Sequence, residues 1–267
     1  MSYGVTLDIY NGIADVRMNR PESMNAIGED IMNGMHEVLA RLRESDDVRV
    51  VVLSGNGKGF CSGLDFANFG DMMSGDLTGD SVAGAYDDLS PAGANYAQQL
   101  GWGWQELPMP VIAAVHGAAM GAGINIALGA DIRIVHPDTK MGFVEVTYGL
   151  LPDMSATLSL QRLASLDRIK ELVLTGRRFN GSDAKEYGLA TELSETPLED
   201  ALEMAAMMAS RSPDALRRGK QLLNQAAELS ARDMLIAESN CSREMLGTPN
   251  QLEAVMATFE KREPNFG

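Results

Sequence analysis

The chain has 267 residues, 45% of them hydrophobic, which suffices for one large core or one domain with an appendage. With 37 acidic and 22 basic residues its formal net charge is −15; a field of that sign repels phosphate and argues against a nucleic-acid partner, though not against an anionic small ligand beside a local cluster of cations. Two cysteines, Cys61 and Cys241, show no metal-ligand spacing, and the N-terminal stretch has neither a signal-peptide apolar core nor an Arg-rich transit character, so the expectation is a reduced, cytoplasmic chain with no metal.

In chain order, residues 3–10 and 13–19 alternate around Asn11-Gly12, a hairpin signal. Residues 20–26 form a turn, and Ile31, Met35, Val38, Leu39 and Leu42 recur at helical spacing, predicting a helix over 29–44. The apolar run 48–53 reads as a buried strand, followed by a turn over 54–59. Residues 67–95 are rich in Gly, Asp and Ser and predict a lid or loop; residues 97–107 read as a helix. A strand over 111–115 runs into a glycine-rich turn, 116–123, then a small-residue helix over 121–130 and a strand over 131–135. The apolar stretch 111–130 contains Gly117-x-x-x-Gly121, but Pro108, Pro110 and its glycines favour strand, turn and buried helix over a membrane span. Helices are expected over 155–164, 167–175 and 182–187, with a strand over 190–193. Thr196-Pro197-Leu198-Glu199 reads as a capping box, and Ser212-Pro213 opens another helix before those over 232–245 and 250–262. The division is thus an α/β catalytic core over 1–195 and an all-helical unit over 196–267.

Two turns, Cys61-Ser62-Gly63-Leu64 and Met120-Gly121-Ala122-Gly123, share a design: each follows a strand and precedes an expected helix. Converging, they would offer two main-chain N–H donors to one oxygen; the alternative is that both are packing turns. Glu145 and Asp153 stand in an apolar segment, where burial would raise their pKa values and suit them to proton transfer near neutrality; the alternative is a pair of surface acids. Gly59-x-Cys61-x-Gly63 also fits a cysteine nucleophile elbow, and Arg177-Arg178 and Lys261-Arg262 are short basic pairs, either solvated or complementary to ligand phosphates. Gly117-x-x-x-Gly121-x-Gly123 is not a dinucleotide fingerprint.

Six segments in order resemble the crotonase, or enoyl-CoA hydratase/isomerase, superfamily. Residues 19–26 (NRPESMNA) resemble N-R-P-x-x-x-N-A, and Phe60-Cys61-Ser62-Gly63-Leu64-Asp65 resembles F-C-A-G-x-D. Residues 113–123 resemble A-A-V-x-G…G-G-G, residues 174–177 resemble L-T-G-x, residues 184–189 resemble A-x-x-x-G-L, and residues 259–262 resemble F-x-x-K/R. The resemblance implies a spiral of ββα units with C-terminal helices that build a homotrimer or a dimer of trimers. It implies an acyl-CoA thioester as substrate, with no cofactor beyond that coenzyme A.

By position, the Leu64 and Ala122 N–H groups would hold the thioester oxygen, with Ser62, Gly63, Asp65 and Gly121 around them. Met24 and Ala26 would lie near the adenine, and Lys261, from a neighbouring subunit, near phosphate. Ala122 replaces the family's middle glycine, so its methyl must point away from the thioester. Hydratases of the family resemble G-G-G-C-E followed by P-E; here the first acid is Asn125, which can orient water without taking its proton, and the second is Glu145. Glu145 with Asp153 resembles the dienoyl-CoA isomerases. The expected reaction is a double-bond shift in an enoyl- or dienoyl-CoA through an enolate. The alternatives are hydration using Glu145 alone, C–C or thioester hydrolysis, and a catalytically silent CoA-binding oligomer.

Overall fold

The computed structural model describes residues 4–65 and 89–266. Strands β1 (Val5–Tyr10) and β2 (Ile13–Met18) pair antiparallel across Asn11 and Gly12, both at positive φ, which is the backbone that a two-residue hairpin requires. Helix α1 (Glu29–Arg43) then carries the chain to β3 (Val50–Gly55), parallel to β2. Helix α2 (Tyr96–Glu106) precedes β4 (Val111–Val115), parallel to β3. After β5 (Ala118–Met120) and α3 (Ala122–Leu128), strand β6 (Ile132–Val135) pairs with β4. Beyond β7 (Lys140–Gly142), α4 (Ala156–Gln161), α5 (Leu166–Thr175) and α6 (Gly181–Glu186), strand β8 (Glu192–Leu193) closes a sheet of order β1-β2-β3-β4-β6-β8. Helices α7 (Pro197–Ala209), α8 (Pro213–Gln225), α9 (Ala231–Met245) and α10 (Pro249–Glu260) follow.

Strands β3 and β4 are buried along their whole length because both faces of the sheet are covered. The period-2 alternation of a strand divides their side chains between two cores. Val51, Leu53, Val111, Ala113 and Val115 join α1 and α2 in the larger cluster, with Leu39 and Trp104 fully buried. Val50, Val52, Ile112 and Ala114 face the other way and meet Ala201, Ala205 and Ala209, an alanine stripe one helical turn apart on α7. Among the described residues no helix is long and apolar enough to cross a membrane.

Two local expectations change. The glycine-rich stretch over 116–123 is not all turn: it contains β5, which pairs in parallel with β7 in a second, two-stranded sheet. Strands of three residues are too short to show an alternation. The Thr196 capping box does not form; the Thr196 N–H already donates to Ser194 Oγ (2.8 Å), so Glu199 has no donor to receive there. Reciprocal boxes form instead at Asn95 with Gln98 and at Asn180 with Asp183. The lid expected over 67–95 lies largely outside the described residues, as does whatever follows the turn at Leu64.

Candidate active site

Strand β5 brings the two turns together. The Cys61 N–H donates to Ala118 O (2.9 Å) and the Met120 N–H donates to Cys61 O (3.1 Å), so the first turn runs alongside β5. Close contact depends on Gly63 and Gly123. A Cβ on Gly123 would stand 2.3 Å from Cys61 O, and one on Gly63, at φ +104°, would stand 3.0 Å from Met120 O. On its other side the first turn bridges Ile27: the Ile27 N–H donates to Gly63 O (2.7 Å), and the Asp65 N–H donates to Ile27 O (3.1 Å). A parallel bridge of this kind uses the groups flanking Leu64 and turns the Leu64 N–H away from Ile27. Ala122 is the first residue of α3, where an N–H has no intrahelical acceptor. Neither the Leu64 nor the Ala122 N–H donates a hydrogen bond to any of the described residues. Helix α3 spans seven residues, so its dipole adds little; the bare N–H is what its start contributes. Ala122 itself is 4% exposed within the core cluster, its methyl packed among apolar side chains.

The acids arrive on the chain leaving β7. Glu145 opens a single turn of 3-10 helix, Glu145–Tyr148, and the Gly121 N–H donates to Gly142 O (2.9 Å), tying that strand to the second turn. Asn125, 1% exposed on α3, donates through Nδ2 to Glu145 Oε1 (2.9 Å). The remaining oxygens, Glu145 Oε2 and Asn125 Oδ1, are buried without a partner among the described residues. Burial pushes the Glu145 pKa up, against its backbone hydrogen bond and the Asn125 amide, and the charge of Asp153 adds to the rise. Asp153 is raised too: although the residue is exposed, partial desolvation of the carboxyl outweighs a backbone hydrogen bond.

These groups share one cavity of about 490 Å³. Its lining includes Met24, Ala26, Ser62, Gly63, Leu64, Asp65, Gly121, Ala122, Asn125, Glu145 and Asp153. Lys261 is not part of it; it sits exposed in a left-handed conformation at the C-terminal end of α10. A family model described as enoyl-CoA hydratase/isomerase matches residues 8–267. The chain belongs to the enoyl-CoA hydratase/isomerase family.

Members of this family act on acyl-CoA thioesters. The chain is 34% identical over 262 residues to the mitochondrial enoyl-CoA hydratase domain-containing protein 2 of Mus musculus, covering 96% of this chain and 84% of that one. It is 30% identical over 252 residues to the peroxisomal Delta(3,5)-Delta(2,4)-dienoyl-CoA isomerase of Arabidopsis thaliana, covering 93% and 90%. The crystal structure of an enoyl-CoA hydratase from Bacillus anthracis superposes with a TM-score of 0.87 at 28% identity, covering 98% of each chain. The names span hydration and isomerisation, so family membership fixes the class of enzyme and not the reaction.

Within the enoyl-CoA hydratase/isomerase frame, several groups read otherwise than their motifs suggested. Cys61 is fully buried and its thiol is pushed up to about 12, which removes it as a nucleophile. Arg177 is committed to Glu171 through two contacts and to Tyr187 (3.3 Å), not to the cavity. The N–H groups of Met24 and Ala26 already donate to Pro21 O and Ser23 O (both 3.2 Å), so a ligand there would meet their carbonyls or side chains.

The sequence reading missed part of the apolar wall: Met32, Val144, Leu150 and Met154. Met32 is one position off the core stripe of α1, a displacement that pointed to a second face. It also missed Asn25, fully buried at φ 56°, whose Nδ2 donates to Gly59 O (2.9 Å) and Phe60 O (3.2 Å) and so holds the approach to Cys61. Among the described residues no group of three His, Cys, Asp or Glu side chains is arranged to hold a metal ion.

Proposed function

We propose that the protein shifts a double bond in an enoyl- or dienoyl-CoA. Glu145 removes a proton from the carbon chain, the enolate charge is received on the thioester oxygen by the Leu64 and Ala122 N–H groups, and Asp153 returns a proton further along. Each such amide donor typically contributes about 3–4 kcal/mol of barrier lowering. The observation that carries the reading is that two carboxyls with raised pKa values share one apolar cavity with two main-chain amides that donate to none of the described residues.

Hydration of a 2-enoyl-CoA is the second reading, favoured by one feature. Asn125 Oδ1 and Glu145 Oε2 are orphan acceptors on two side chains joined by a hydrogen bond, and water, with two protons to donate, is the partner such acceptors call for.

The discriminating experiment follows ultraviolet absorbance over a panel of 2-enoyl-, 3-enoyl- and 3,5-dienoyl-CoA in water enriched in oxygen-18. Double-bond migration without label in the product is expected; label at the β-carbon supports hydration instead. Glu145→Gln should cut turnover by about 10² to 10⁴. A near-normal rate in that variant overturns both readings.

We further assign Lys261 to the phosphates of coenzyme A bound by a neighbouring copy, and residues 196–267 to assembly. We place the protein in the cytoplasm, consistent with Cys61 and Cys241 both being free.

A further inference from the structure

The turn that presents the Leu64 N–H hangs on residues 20–27. Three backbone hydrogen bonds form the rungs: Ser62 N–H to Met24 O (2.9 Å), Ile27 N–H to Gly63 O (2.7 Å) and Asp65 N–H to Ile27 O (3.1 Å). Arg20, which does not line the cavity, closes the end of this ladder. Its Nη1 donates both to Ala26 O (3.0 Å) and to Asp65 Oδ2 (2.9 Å), one residue either side of the Ile27–Leu64 bridge. Its own backbone is fixed as well, the Arg20 N–H donating to Asn25 Oδ1 (2.8 Å).

The electrostatics are as pointed as the geometry. Asp65 is the residue after the amide that would receive enolate charge, and a carboxylate there opposes that charge. The Arg20–Asp65 pair is about a quarter exposed on each side, so solvent screens it only in part. Two further carboxylates face the guanidinium, Asp30 at 3.3 Å and Glu22 at 4.0 Å, so removing Arg20 leaves three acids without it, of which Glu22 and Asp65 line the cavity.

We propose that Arg20 is a positioning residue for catalysis: it fixes the Leu64 amide through Ala26 and Asp65 and offsets the Asp65 charge beside it. The inference rests on the reading that the Leu64 amide holds the thioester oxygen.

A double-mutant cycle on the full-length protein tests it, reading kcat and KM with the best substrate of the enoyl-CoA panel. Arg20→Gln should lower kcat about tenfold or more with KM within about threefold. In the Asp65→Asn background the same substitution should cost about threefold or less, because, of the three carboxylates it exposes, the one beside the Leu64 amide is gone. Arg20→Lys, which keeps the charge, should recover most of kcat. Equal losses in both backgrounds, a loss confined to KM, or an Arg20→Lys variant as slow as Arg20→Gln overturns the proposal. If Arg20→Gln does not fold, Arg20→Lys is compared with the wild type: a kcat within about threefold supports the proposal, and a loss of about tenfold or more overturns it. An inactive wild type across the panel defeats the proposed reaction itself, whereas an active wild type with an additive cycle defeats only the role of Arg20.

Discussion

Glu145 is subject to opposite demands, and its surroundings show how they are balanced. Burial raises its pKa, while the Asn125 amide donates to Oε1 and favours the ionised form. An asparagine there supplies a hydrogen bond without adding a second negative charge beside the base. A folded-state pKa above the unfolded one means that the folded protein binds the proton more tightly. The contribution of this group to stability is therefore greatest at pH below the unfolded glutamate pKa and is lost as pH rises through the raised folded value. Asp153 acts in the same direction. The proposed base thus costs stability under the conditions in which it works, and Glu145→Gln, which keeps an acceptor for Asn125, should raise the melting temperature at about pH 8 and lose that advantage near pH 4. A melting-temperature difference independent of pH would show that ionisation of residue 145 is not coupled to folding. The kcat of the wild type should fall on the acid side at a pH above the ordinary glutamate value.

At the scale of elements, the cavity is held by the short pieces rather than the long ones. The six-stranded sheet positions β4, but β5 carries the second turn and bonds to the Cys61 segment. The alanine stripe of α7 serves a different purpose: small side chains let the helix lie close on Val50, Val52 and Ile112. Ala205→Leu should therefore overpack that face and cost about 1–3 kcal/mol, seen as a lower urea midpoint. Folded Ala205→Leu protein should keep its turnover, because residue 205 is remote from the cavity lining. An unchanged midpoint would mean that α7 can lift from the sheet without penalty.

For the whole molecule, the C-terminal helices pose a question that one chain does not answer by itself. Helix α9 has fifteen residues and buries none of them, and α10 buries only Ala257. Leu223, Leu246 and Phe259 are 78%, 71% and 84% exposed. Apolar surface of this extent on helices too short to persist alone argues for coverage by further copies. Light scattering during size-exclusion chromatography should give three or six times the 28.7 kDa of the chain. A monomer at micromolar concentration would remove both the assembly role of residues 196–267 and the assignment of Lys261 to a neighbour's ligand.

How much was legible in the sequence follows from the range of each signal. The hairpin at Asn11-Gly12, the stripe of α1 and the continuous apolar runs of β3 and β4 were readable because a local period or turn encodes them. The site residues named from the sequence likewise include eleven that line the cavity. What only the tertiary structure decided depends on partners far along the chain. Asn125 meets Glu145 across twenty residues, Arg20 reaches Asp65 across 45, and the Leu64 N–H is freed because Ile27 engages the groups on either side of it. Cys61 illustrates the same limit: a pattern of glycines can suggest an exposed nucleophile, but burial, a property of the packed whole, leaves the thiol protonated and inert.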